Sequence, residues 1–192
     1  MVKLNKIYTR TGDDGTTGLA AGPRRAKFDR RVMAFGTIDE TNALIGMARL
    51  HLAGDVELDA MLQRIQNDLF DLGADLATPE SDEPLGYEPL RIVDHQVERL
   101  EAEIDQLNAA LEPLRSFVLP GGTPAAASLH VARTVARRAE REMVELAADL
   151  EERVSQAALR YVNRLSDLLF VAARYTNDKG KADVLWVPGL TR

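Results

Sequence analysis

LHVARTVARRAEREMVELAADL, residues 129–150, decides how the rest of the chain is read. Leu129, Ala132, Ala136, Ala139, Met143, Leu146 and Leu150 recur at alternating spacings of three and four, the repeat of a helix with one apolar side. Small residues fill the first half of that stripe, which suits close approach of a second helix at a shallow angle. Arg133, Arg137 and Arg141 recur every four residues, with Glu140 three after Arg137, so another side of the same helix carries charge. The start of this helix is also written in the sequence. Pro120-Gly121-Gly122 interrupts the chain, Thr123 is an N-cap, and Pro124 occupies the first helical position.

Working outward, the same spacing predicts four more helices. Leu58, Leu62, Ile65, Leu69, Leu72 and Leu76 form an unbroken seam, and Val93, Val97, Leu100, Ile104, Leu107 and Leu111 form another. Segments of about 28–53 and 155–177 complete the set, the latter with Leu159, Val162, Leu165 and Leu169 on its apolar side. Pro79, Pro84 and Gly86 separate the second helix from the third. At roughly 20 to 25 residues each, or about 30–37 Å, all five can lie side by side. The expected architecture is an all-α five-helix bundle in a single domain over residues 1–192. Residues 1–27 are expected to form a leader, 28–177 the bundle, and 178–192 an extended tail anchored by Trp186. No Glu-x-x-His occurs, which sets aside a carboxylate-bridged di-metal bundle.

The chain has no cysteine, so thiol catalysis, disulfides and zinc–thiolate sites are excluded. His51, His95 and His130 are too far apart in sequence to suggest a metal site. The opening MVKLNKIYTR lacks the apolar core of a secretion signal, and no run approaches the ~20 apolar residues of a membrane span. A cytoplasmic protein without a membrane partner is the expectation. A net charge of −6 argues against a nucleic-acid partner. Positive charge is nevertheless clustered, in RRAKFDRR at 24–31 and RTVARRAER at 133–141. Two basic islands in an acidic chain suit a small polyanion. The alternative is that the islands are solvated helix faces neutralised by nearby carboxylates.

Polar residues interrupt two apolar stripes. In the first helix Phe28, Val32 and Phe35 continue into Asp39 and Asn42; in the fifth, Asn163, Asp167, Phe170 and Arg174 form a mixed stripe. Pairing across helices would explain these positions as readily as a ligand would. YTRTGDDGTTGL, residues 8–19, is unsuited to a helix but suited to presenting backbone N–H groups and hydroxyls to a phosphate. It is not a Walker A loop, because the Gly-Lys-Ser/Thr ending is missing. A flexible surface turn is the competing reading. FVLPGGT at 117–123 is either a plain connection with Phe117 in the core or part of a site.

Together, YTRTGDDGTTGL, KFDRRVMAFGTIDETNALIG, FVLPGGT, ARTVARRAER and RYVNRLSDLLF resemble, in order, the motifs of the PduO-type ATP:cob(I)alamin adenosyltransferases over residues 7 to about 175. The resemblance implies a homotrimer with ATP and a corrinoid, cobalamin or a relative, held between subunits. It implies an enzyme that moves the 5′-deoxyadenosyl group of ATP to the cobalt of cob(I)alamin, forming adenosylcobalamin and releasing triphosphate. Thr9, Arg10, Thr11, Gly12, Thr17, Gly18 and Lys27 would hold the triphosphate. Arg137, Arg138, Ala139, Glu140, Arg141 and Asn163 would complete the ATP site, partly from the adjacent subunit. Asp39 would pair with Arg133, Asp167 would support the site, and Phe117 with Phe170 would lie against the corrinoid, Phe117 displacing the lower axial ligand of cobalt. Mg2+ would accompany ATP, with Glu140 as its candidate protein ligand. A cob(II)alamin reductase and an adenosylcobalamin-dependent enzyme are the implied partners. A non-catalytic nucleotide sensor is the rival from another class; release of triphosphate with reduced cobalamin separates the two.

Overall fold

The computed structural model describes residues 7–82 and 84–192; residues 1–6 of the leader lie outside the described residues. Five helices follow a short hairpin. Strands β1 (Thr16–Thr17) and β2 (Arg25–Ala26) pair antiparallel, with Thr16 opposite Ala26 and Thr17 opposite Arg25. The helices are α1 (Arg30–Arg49), α2 (Val56–Leu76), α3 (Asp94–Asn108), α4 (Pro124–Ala147) and α5 (Gln156–Tyr175).

Local chemistry starts them. Asp29, Asp55, Thr123 and Ser155 each accept a hydrogen bond from a backbone N–H of the first turn of α1, α2, α4 and α5, and Pro124 sits in the first turn of α4. The third helix lacks such a cap and is shorter than its apolar seam suggests. It ends at Asn108, leaving Leu111 beyond it and Val93 exposed before it. Leu150 likewise falls outside α4 and is 98 % exposed, because the chain leaves the helix after Ala147.

Close packing runs from α2 to α1 to α4 to α5 to α3. The predicted seam of α2 (Leu58 to Leu76) is buried along its length, and that of α4, expected from Leu129 to Leu150, is buried as far as Leu146. On α1 the buried face is different from the predicted one. Ala34, Ile38, Thr41, Ile45 and Ala48 enter the core, while Phe28 is exposed and Phe35 only half-buried. Packing beside α4, whose stripe is Ala132, Ala136 and Ala139, selects the narrow face of α1 and leaves Phe35 at its edge, with Phe28 before the helix begins.

Polar side chains tie in the outer helices. Asp68 of α2 accepts hydrogen bonds from Gln96 and Arg99 of α3 and from the Tyr161 hydroxyl of α5. Burial, with Asp68 alongside, pushes that phenol well above its usual range. The tail 178–192 is not extended throughout. It turns through residues 176–182, with Asp178, Lys179 and Gly180 at positive φ, and only around Leu185 does it run as a strand, bridging antiparallel to Val118. No helix among the described residues is long and apolar enough to cross a membrane.

Candidate active site

Along one side of α4 the Arg137 side chain projects outward with no hydrogen-bond or ionic partner among the described residues, and Arg141 reaches only the Arg137 carbonyl, at 2.9 Å. These two guanidinium groups share the face with the Glu140 and Asp167 carboxylates but form no ion pair with them among the described residues. Between α4 and α5, Asn163 donates through Nδ2 to Glu140 Oε1 at 2.7 Å and accepts at Oδ1 from Arg164 Nη1 at 2.8 Å. Asp167 follows one turn later on α5. Desolvation raises its carboxyl above the usual range; Arg164 opposes this, Glu140 adds to it, and Arg137 opposes it again. The face therefore joins Arg137, Glu140, Asn163 and Asp167, the grouping that the family resemblance implies. Two neighbours in the same motif do something else. Ala139 is fully buried against the core, so its side chain packs the bundle and does not face a ligand. Arg138 is paired with Glu40 of α1.

Further toward the start of α4, Arg133 joins Phe117, Phe170, Leu114, Val118 and Trp186 around a cleft of about 610 Å³. Phe117 is 77 % exposed and is no core residue. Its ring lies 6.1 Å from that of Trp186. Burial, and secondarily Arg137, lowers the pKa of Arg133, whose buried Nε has no partner. Trp186, expected only as the anchor of the tail, forms one wall of this cleft. Trp186 N donates to the Phe117 carbonyl at 2.7 Å, and Ser116 Oγ donates to the Trp186 carbonyl at 2.6 Å. FVL and VLW, short unbroken apolar runs far apart in sequence, are the one sign of this pairing that the residues offer.

The tail is held there by a buried clasp. Arg174 of α5 donates to Asp183 at 2.8 Å and to the Glu112 carbonyl at 2.9 Å, so it belongs to the tail and not to the Asn163–Asp167 face. Asn177 donates to Asp183 at 2.9 Å and accepts from Thr123 N–H at 3.2 Å. Gly122 has φ +100°, and a Cβ there would run into the Asn177 side chain, so only glycine fits.

The leader folds on itself. Thr9 and Thr11 hydroxyls are hydrogen-bonded at 2.9 Å, and Arg10 takes a left-handed backbone with its guanidinium 5.6 Å over the Tyr8 ring. Asp14 accepts from the Thr16 hydroxyl and N–H, which holds its carboxyl below the usual range. Lys27 lies against Gly12, and its N–H donates to the Gly15 carbonyl at 2.9 Å. Thr17 is in β1, with Gly18 directly after it. The first basic island is not a reservoir of unpaired cations. Arg24 donates to the Thr11 and Thr16 carbonyls, Arg25 and Arg31 pair with Glu152, and Arg30 pairs with Glu145 and Asp149. Lys27 alone of that island lacks a hydrogen bond from its side chain or a carboxylate partner among the described residues.

Two expected meetings do not occur within the chain. No hydrogen bond or ion pair among the described residues joins leader residues 9–18 to Arg137, Glu140 or Asn163. Asp39 and Arg133 are not paired either. Asp39 is exposed at a groove between α1 and α2 lined by Phe35, Asn42 and Phe70, whereas Arg133 lines the Phe117 cleft. No group of three or more His, Asp or Glu side chains that could hold a metal occurs among the described residues.

Comparison with known proteins gives one answer. Residues 7–176 match the family described as Cobalamin adenosyltransferase. The corrinoid adenosyltransferase of Mycobacterium tuberculosis is 52 % identical over 188 residues, covering 98 % of this chain and 96 % of that protein. That of Bacillus subtilis is 44 % identical over 185 residues, covering 93 % and 91 %. A solved structure of a phenylalanine-to-alanine variant of the PduO-type ATP:corrinoid adenosyltransferase from Lactobacillus reuteri, complexed with cobalamin and ATP, superimposes with a TM-score of 0.85 at 40 % identity, covering 94 % of this chain and 99 % of that one.

Proposed function

This chain belongs to the cobalamin adenosyltransferase family, and from that premise we propose that its α4–α5 face, its Phe117 cleft and its leader are the parts of one adenosyl-transfer site. The reaction is ATP-dependent adenosyl transfer to a corrinoid. Cobalt of cob(I)alamin attacks the 5′ carbon of ATP; the cobalt–carbon bond forms, the carbon–oxygen bond breaks, and the electron pair leaves with triphosphate. Cobalt is the nucleophile, so the protein's task is to align the reactants and stabilise the leaving group. Charge grows on triphosphate in the transition state. Arg137 and Arg141, which form no ion pair among the described residues, stabilise that charge more than they stabilise bound ATP. Lys27, the Thr9, Thr11 and Thr17 hydroxyls and the Arg10, Gly12 and Gly18 backbone supply further donors.

The observation that carries this reading is the continuity on α4 of the Arg137–Arg141 face with an apolar cleft: Arg137 lies one turn from Arg133, and Arg133 lines the cleft with Phe117. Phe117 and Phe170 would pack on the corrinoid, with Phe117 in the place of the lower axial ligand. Removing that ligand eases reduction of cobalt to Co(I). Asn163 and Asp167 orient Glu140 and the arginines. Glu140 keeps one carboxylate oxygen outside its bond to Asn163 and could join a Mg2+ otherwise held by phosphate oxygens, which matches the low carboxylate demand of that ion. Bound Mg2+ would screen charge on the triphosphate.

A homotrimer with sites between subunits is part of the proposal. Support comes from the incomplete pairing inside one chain: the leader stands apart from Arg137, Asp39 from Arg133, and Phe28 and Phe70 are exposed. The proposed setting is the cytoplasm, consistent with a chain lacking cysteine. A reductase supplying electrons to cob(II)alamin and an acceptor of the adenosylated product complete the scheme.

The test is direct. With reduced cobalamin and ATP, the protein is expected to produce the light-sensitive spectrum of a new cobalt–carbon bond and one triphosphate per adenosylated corrinoid. Binding of both ligands without triphosphate release would make it a carrier.

A further inference from the structure

The Glu152 side chain, 9 % exposed in the turn between α4 and α5, receives guanidinium groups from two elements. Arg31 of α1 donates from Nε at 2.9 Å and from Nη2 at 2.6 Å to one oxygen. Arg25 of β2 brings Nη2 to 3.1 Å of the other. Arg31 also donates to the Leu76 carbonyl at 2.8 Å, so the start of α1, the end of α2 and the α4–α5 turn meet at one buried arginine. Arg25 extends that hub to the leader. A ladder of two residues per strand is too short to be stable alone, so its place must be imposed by what anchors it. Arg25 lies opposite Thr17 in the ladder and two residues before Lys27.

We propose that Glu152 is a positioning residue for nucleotide capture: through Arg25 it fixes the hairpin, and with it Lys27 and the Gly12–Gly18 loop, in the geometry that receives triphosphate. This rests on the reading of the leader as the triphosphate cradle. Glu152 never touches ATP; it keeps the leader ordered before ATP arrives, which lowers the entropic cost of binding.

Two variants in the full chain are read together: Arg25→Ala cuts the leader branch, along with the Arg25–Asp29 pair at 3.4 Å, and leaves Arg31–Glu152 in place, whereas Glu152→Gln keeps the Asp29 pair and tests the hub itself. For Arg25→Ala the KM for ATP is expected to rise on the order of tenfold with kcat within about twofold and the corrinoid KM unchanged. Hydrogen exchange of the Lys27 amide, which is bonded to Gly15, should quicken, and Arg25→Lys should recover part of the affinity. Unchanged exchange together with unchanged ATP KM overturns the positioning role. Faster exchange with unchanged ATP KM shows that the hairpin is held from Glu152 but is no nucleotide cradle, and the proposal falls with the reading beneath it. A fall in kcat at constant ATP KM also overturns it. Should Glu152→Gln fail to fold, the Arg25 variants decide the question.

Discussion

The two basic islands of this chain look alike in sequence and end differently. In residues 24–31 four arginines are spent on the protein itself; Arg31 is 1 % exposed and saturated by Glu152 and two carbonyls. In residues 133–141 Arg138 is the one arginine ion-paired to a carboxylate among the described residues, while Arg137 and Arg141 face outward and Arg133 is half-buried with no partner for its Nε among them. The contrast teaches where to look for ligand binding: a satisfied arginine builds the fold, and an arginine held in place without a counter-charge is available to an anion.

The strongest way to break that contrast is Arg31→Ala. It should lower unfolding stability by about 3–5 kcal/mol, because Glu152 is left buried without its main partner; urea denaturation reads this, and a loss below about 1 kcal/mol would erase the distinction. Next, Arg137→Ala should reduce kcat/KM for adenosylation by on the order of 10²–10³ while leaving the denaturation midpoint unchanged. If activity survives, the second island has no claim on the leaving group. Phe117→Ala extends the comparison to the cleft beside Arg133. Adenosylation from cob(II)alamin under a reducing system should fall at least about tenfold, with ATP affinity nearly constant; equal losses in both would detach the ring from cobalt chemistry.

A subtler effect belongs to His130, 4 % exposed on α4 beside Phe170. Burial first, then Arg133, holds its pKa below the ordinary value, with Asp183 opposing. The unfolded chain therefore takes up the proton first as pH falls. Stability is full above about pH 6.5 and declines below it until the folded state also protonates. His130→Phe should flatten this slope in thermal melts taken across that range. The smallest effect is expected from Arg30→Ala, whose pairs with Glu145 and Asp149 are solvent-exposed. Stability should change by less than about 0.5 kcal/mol.

Much of the bundle is legible without coordinates. The α2 and α4 seams and the Thr123–Pro124 start lie where the spacing and capping chemistry put them, because both depend on neighbours within a turn or two. The α1 face is misread because heavy apolar side chains, Phe28, Val32 and Phe35, outweigh Ala34 and Ala48 in any hydrophobicity count, whereas close approach to α4 favours small ones. The cleft is half legible: Phe117 and Phe170 stand out, but Trp186 reaches them only through a strand pairing across more than sixty residues.

The number, order and polarity of five helices follow from the residues alone, as does the placing of Arg137 near Glu140 on one helix and of Asn163 near Asp167 on another, since helical periodicity is a local property; only the packing of α4 on α5 brings those two pairs together. Which cations are neutralised, and which aromatic rings meet, was decided only by the tertiary structure. An ion pair such as Arg31–Glu152 joins residues 121 positions apart, and its strength depends on distance and burial, quantities that composition does not contain.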